Sequence, residues 1–143
     1  MCEEAGDKSD GLVWDSVTYR THVRRTSKRK WERSIARAES ADAYAKSQYN
    51  PSVAEQRIQC IEMKCARGKI GFKISQTDHG ENFFARIDAD EWLGVSAGEF
   101  TNYVFVVKQR GGKVHGYPIT RSDLLTRKRA RASDVDAKPS KPC

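Results

Sequence analysis

The feature that most constrains this chain is a nearly unbroken apolar run, Tyr103-Val104-Phe105-Val106-Val107, followed closely by Gly111-Gly112 and a second strand-like segment over 114–119. A short run of aromatic and β-branched residues is the pattern of a strand covered on both faces. Paired glycines tolerate the positive φ angles that a tight hairpin turn requires. The segment therefore predicts a hairpin within a sheet, and the rest of the chain must supply the layers that cover it. Pro118 has no amide donor, which places the second strand at an edge.

Other segments extend the pattern. Residues 57–65 alternate, with Ile61, Met63 and Cys65 on one face and Ile58, Cys60, Glu62 and Lys64 on the other. A turn over 66–69 leads to a second alternating stretch, with Ile70, Phe72 and Ile74 inward and Lys69 and Lys73 outward. Phe83, Ala85 and Ile87 form the inward set of a third strand, and an Asp-capped helical turn is expected near 89–94. Upstream, residues 27–48 contain no Gly or Pro. Their helix-forming composition, with Trp31, Ile35, Ala38 and Ala45 near one face, predicts a long helix that Asn50-Pro51 ends. The expectation is an α+β fold: one long N-terminal helix packed on a mainly antiparallel sheet of about five strands. A single domain spans 12–125, with the sheet over 57–119. An acidic leader (1–11) and a basic tail (126–143) are expected to be disordered.

Charge is unevenly spread along the 143 residues, whose formal net charge is +7. Residues 16–46 carry nine Lys and Arg against three acids, and residues 121–143 carry seven against three. The segment 47–120 is almost balanced, with nine against eight. Arg24, Arg25, Lys28, Arg29, Lys30 and Arg33 form one dense block, and Arg127, Lys128, Arg129 and Arg131 form another. Like charges this close repel unless an anion sits among them, so a polyanion is the expected partner. Both clusters also fit nuclear-import signals. No run is long and apolar enough for a transmembrane helix, and the first residues lack the apolar core of a secretory signal. Four cysteines, two of them terminal, do not read as a disulfide framework, so an intracellular protein in nucleus or cytoplasm, without membrane association, is expected.

Several catalytic patterns are missing from the sequence: a Gly-rich phosphate loop, Gly-x-Ser-x-Gly and Cys-x-x-Cys. His79 lies beside Asp78 and Glu81 but reads as part of a polar loop, and no metal site is assigned. Lys64, Arg67, Lys69 and Lys73 are expected to project from one sheet face near Lys108, Arg110 and Lys113. With Phe84 and Tyr117 available for stacking, such a face suits nucleic acid.

Glu62-Met63-Lys64 places an acid and a lysine two apart, on one face if the segment is a strand. This resembles the Glu-x-Lys half-motif of the PD-(D/E)xK nuclease superfamily, over residues 57–120. The order of the following elements is similar as well: 72–75, then 90–92, 103–107 and 114–119. The resemblance implies metal-dependent cleavage of a phosphodiester, with Glu62 holding Mg²⁺ and Lys64 neutralising charge or positioning water. The family's upstream Asp has no counterpart on a preceding strand, since Asp42 falls in the expected helix and Glu55 in a loop. A fainter likeness, to PUR-repeat nucleic-acid-binding proteins, runs through Lys64, Arg67-Gly68-Lys69 and 72–77. The leading expectation is a nucleic-acid-binding protein (RNA or DNA) that needs no cofactor and has little sequence selectivity. A Mg²⁺-dependent nuclease using Glu62 and Lys64 is the first alternative, and a module that binds an acidic protein is the second.

Overall fold

In the structure, a computed structural model that describes residues 10–23 and 47–141, the expected hairpin forms the centre of a sheet. It comprises two strands numbered here β7 (Tyr103–Gln109) and β8 (Lys113–Ile119). Their register runs from Tyr103 opposite Ile119 to Lys108 opposite Val114, and Gly111 and Gly112 turn the chain at φ +99° and +98°. Before them in chain order come β1 (Val13–Trp14), α1 (Ser16–Val23), β2 (Gln48–Tyr49) and α2 (Glu55–Ala66). Next are β3 (Phe72–Thr77), β4 (Gly80–Arg86), β5 (Gly94–Ser96) and β6 (Glu99–Thr101). Two short helices follow β8: α3 (Arg121–Thr126) and α4 (Ala132–Val135).

The larger sheet has the order β1-β8-β7-β4-β3, and a small sheet has the order β2-β5-β6. β1 runs parallel to β8, and the other pairings are antiparallel. The architecture is α+β. Because side chains alternate across a strand, the large sheet buries both faces. Phe83, Ala85, Val104, Val106 and Val114 pack with Ile58, Ile61 and Cys65 of α2. Phe84, Tyr103, Phe105 and Ile119 pack with Leu124 and Val135 from the C-terminal segment.

Several expectations are corrected. Residues 57–65 are helical, within α2, and not a strand. Ile58, Ile61 and Cys65 stand three and seven apart, so they fit a helical stripe, and the Gln, Glu, Met and Lys between them favour a helix. Glu55 in the first turn and Lys64 in the last suit the helix dipole. Residues 89–93 form bends and coil where a helical turn was expected. Asn50 organises the nearby chain, accepting from Ser52 N and donating to Glu91 Oε1 and to the Trp92 carbonyl. The expected core divides between the two faces, and Phe72 is exposed. The apolar stretch from Leu12 to Tyr19 divides between β1 and α1.

Most of the expected 27–48 helix lies outside the described residues, and Gln48 at its end is in a strand. The expected leader falls outside them except for its last two residues. β8 stands between β1 and β7 and is not an edge strand, but β1 pairs only with Lys113 and Val114, and Pro118 lies beyond them, buried beside Gly94. Residues 126–141 of the expected tail are folded onto the domain. Val135 is fully buried, Tyr103 donates from its hydroxyl to the Val135 carbonyl, and Ser140 bridges to Ile87. Cys60 is disulfide-bonded and Cys65 is a buried free thiol, so the expectation of four reduced cysteines fails at Cys60. No helix among the described residues is long and apolar enough to cross a membrane.

Candidate functional site

Glu62 has no solvent-accessible surface. It sits on the face of α2 that meets the sheet, beneath Gly116 of β8. Tyr49 donates its hydroxyl to Oε2 at 2.6 Å and Trp14 donates its indole N–H to Oε1 at 2.9 Å. The Gly116 amide supplies a third bond. Glycine is required at 116 by this approach, because a Cβ there would stand 3.0 Å from Oε2 and 2.6 Å from the Phe105 carbonyl. One carboxylate thus ties β1, β2, α2 and β8 together. Burial raises its pKa from 4.5 to about 7, and the bonds from Tyr49 and Trp14 oppose that rise. Burial and the neighbouring carboxylate likewise push the Tyr49 hydroxyl well up.

These surroundings do not fit the Mg²⁺ site implied by the nuclease resemblance. A metal-binding carboxylate needs open lone pairs, whereas both oxygens of Glu62 face hydroxyl, indole or amide donors. Lys64 does not join it, since residues two apart on a helix leave in different directions. Lys64 is half-buried on another side of α2. Among the described residues, no group of three or more His, Cys, Asp or Glu is placed to hold a metal. Asp15, at the end of β1, adds to the field that raises Glu62, and it is itself bonded to Thr18.

The expected basic sheet face is not a row of open cations. Arg67 ends α2 and pairs with Asp10. Lys73 and Lys108 converge on Glu81 at 2.7 and 3.3 Å, which holds that carboxyl below its ordinary pKa. Lys69 is exposed in the turn before β3, and both it and Lys64 make further contacts. Phe84, expected to stack on a ligand, is buried, and Tyr117 is covered by His22 and Phe105. Arg24, Arg25, Lys28, Arg29, Lys30 and Arg33 lie outside the described residues.

The second basic cluster is displayed differently. Thr120 caps α3 by accepting from Asp123 N. Leu124 is buried, and Ala130 N bonds back to the Leu124 carbonyl at 2.8 Å. Arg127, Lys128, Arg129 and Arg131 therefore occupy a folded turn between two anchored helices, where a free tail was expected. Arg127 reaches Asp123 at 3.8 Å, and Lys128 lies 4.4 Å from the centre of the Phe105 ring. Arg129, at φ +57°, and Arg131 are exposed and pair with no acid among the described residues. Compared with family models, with curated proteins and with solved structures, the chain has no match.

Trp14, Tyr49 and Gly116 escaped the sequence reading. The available signal was an acid inside a helical apolar stripe, Ile58-Ile61-Glu62-Cys65, which marks a buried carboxylate in need of donors. Read as a strand, the same residues conceal it.

Proposed function

We propose that the protein binds nucleic acid through phosphate contacts, with the folded turn 127–131 as its principal grip among the described residues. The observation that carries this reading is the presentation of Arg127, Lys128, Arg129 and Arg131 on a turn anchored by buried Leu124 and Val135. A guanidinium held on folded backbone loses less entropy on meeting a phosphate than one on a free tail. The dense block over 24–33 adds charge of the same sign on the same chain. Contacts of this kind position a ligand without reading its sequence.

The test is the salt dependence of binding to a fluorescent single-stranded oligonucleotide. Log affinity should fall linearly with log salt, by ~0.7 for each phosphate neutralised. Arg129→Glu together with Arg131→Glu should lower affinity about tenfold or more and flatten the slope, since each reversal removes a contact and adds a repulsion. Binding that is flat in salt, or unchanged in the double variant, overturns the reading.

A further inference from the structure

The loop between β4 and β5 and the adjoining β6 carry an exposed aromatic pair that the phosphate grip does not use. Trp92 is 50% exposed and stacks on Phe100 with ring centres 5.9 Å apart and planes 16° from parallel. An open cleft of about 690 Å³ lies beside them, lined also by Asn50, Asp90, Glu91 and Asn102. A half-exposed Trp, held flat by a second ring at the wall of a cleft, is a surface on which another planar group can stack.

The polar groups around that surface are asymmetric. Two carboxylates, Asp90 and Glu91, line the cleft, and among the described residues no cation does. Asn50 binds Glu91 Oε1 at 2.9 Å and also bonds to the Trp92 carbonyl, which fixes the Glu91 side chain and leaves Oε2 and the second lone pair of Oε1 for a ligand. Asn102 spends its Oδ1 on Leu93 N at 2.7 Å, so the group it has left to offer is an amide N–H. The cleft thus combines a stacking plane, carboxylate acceptors and one amide donor.

We propose that this cleft is a base-binding pocket that takes a guanine ring from single-stranded nucleic acid. The proposal rests on the nucleic-acid reading and adds a selectivity that phosphate contacts lack. Guanine alone among the common bases presents two adjacent N–H donors, N1 and N2, beside a carbonyl acceptor, O6. A single carboxylate can accept both donors while an amide donates to O6. Adenine and cytosine place a ring-nitrogen acceptor where the carboxylate would lie, and that contact is repulsive. Stacking on Trp92 is common to all bases, so the carboxylates provide the discrimination. An adjoining cleft of about 360 Å³ shares the Trp92–Phe100 wall and contains Arg86 and Arg121. Asp88 and Glu99 line it as well, so its charge is balanced and a phosphate gains little there.

The experiment is a titration of the full chain, followed by tryptophan fluorescence, with guanosine, GMP, adenosine, cytidine, ribose 5-phosphate and an arginine-rich peptide. Guanosine and GMP should quench with similar affinity, at least tenfold tighter than adenosine or cytidine, and ribose 5-phosphate should leave the signal unchanged. Trp92→Ala should abolish the response, and Glu91→Gln should reduce the preference for guanosine at least tenfold while retaining stacking. Both sites are exposed, and unchanged melting temperatures would confirm intact folding. Equal response to all nucleosides, response to ribose 5-phosphate, or quenching by the peptide alone overturns the proposal. Oligonucleotide binding that is salt-dependent but indifferent to Trp92→Ala and to guanine content removes the pocket and spares the phosphate grip. Guanosine binding without oligonucleotide binding does the reverse.

Discussion

The two faces of the large sheet are covered by different means. On one, α2 lays Ile58, Ile61 and Cys65 over Val104 and Val106, and in the same layer it buries a carboxylate. On the other, the C-terminal segment seals Phe84, Phe105 and Ile119 with Leu124 and Val135, and carries its cations on top. The first cover is tied by hydrogen bonds to one acid, and its stability must depend on pH. The second is an apolar seal with charges kept at the surface, where solvent screens them. Buried polarity fixes which elements meet, because each donor must find that acid. Surface charge is left available for a partner.

The largest expected effects concern the apolar seal. Leu124→Ala should cost ~2–5 kcal/mol, as full burial and a cavity imply. Ending the chain at residue 131 should lower the melting temperature by many degrees, since Val135, the Tyr103 hydroxyl bond and the Ser140 bridge are lost together. Equilibrium denaturation and thermal melts check both. An unchanged melting temperature in the truncated chain would show that this face needs no cover.

The carboxylate comes next. Its folded pKa, about 7, lies above the ordinary 4.5, so folding favours the neutral form. The associated stability is fully present below pH 4.5 and is lost as pH rises to 7. At ~1.4 kcal/mol per pH unit, that amounts to ~3 kcal/mol. Glu62→Gln should remove this decline and flatten the profile between pH 5 and 8. His115 acts in the opposite direction, because burial lowers its pKa and makes the folded state favour the neutral ring. Urea unfolding across this range, with His115→Gln as a second background, separates the two. Parallel profiles for wild type and Glu62→Gln would refute the assignment. Trp14→Phe should cost ~1.5–3 kcal/mol by leaving a buried acceptor without its donor, and should push the Glu62 pKa still higher.

The smallest effect sharpens the contrast. Glu81 meets Lys73 and Lys108 at the surface, and its pKa is shifted down. Its stabilisation is present above the ordinary carboxylate pKa and lost as pH falls through the lowered value. Glu81→Gln should therefore cost at most ~1 kcal/mol at neutral pH, and less in high salt. A loss as large as that from Trp14→Phe would erase the distinction between buried and exposed acids in this protein.

The strands of the β3-β4-β7-β8 meander could be read locally. Apolar alternation at Phe83, Ala85 and Ile87, the run 103–107 and the paired glycines each specify strand or turn from residues close in sequence. The charge distribution was legible too, because it is a property of composition. The identity of α2 was not, since Ile61, Met63 and Cys65 fit the strand period and Ile58, Ile61 and Cys65 the helical one, so the apolar pattern does not decide between them. The apolar sheet beneath them decides, by offering a broad surface that a helix can cover. The role of Glu62 was hidden for the same reason. Its donors lie on β1, β2 and β8, distant in sequence, and only folding brings Trp14, Tyr49 and Gly116 to one carboxylate. The C-terminal segment carries Leu124, Leu125, Ala130 and Val135 too sparsely to predict order. Those few side chains become an anchor only because the sheet leaves Phe84, Phe105 and Ile119 uncovered. Local pattern therefore determined strands, turns and charge, while burial, which depends on what lies opposite, was decided by the tertiary structure.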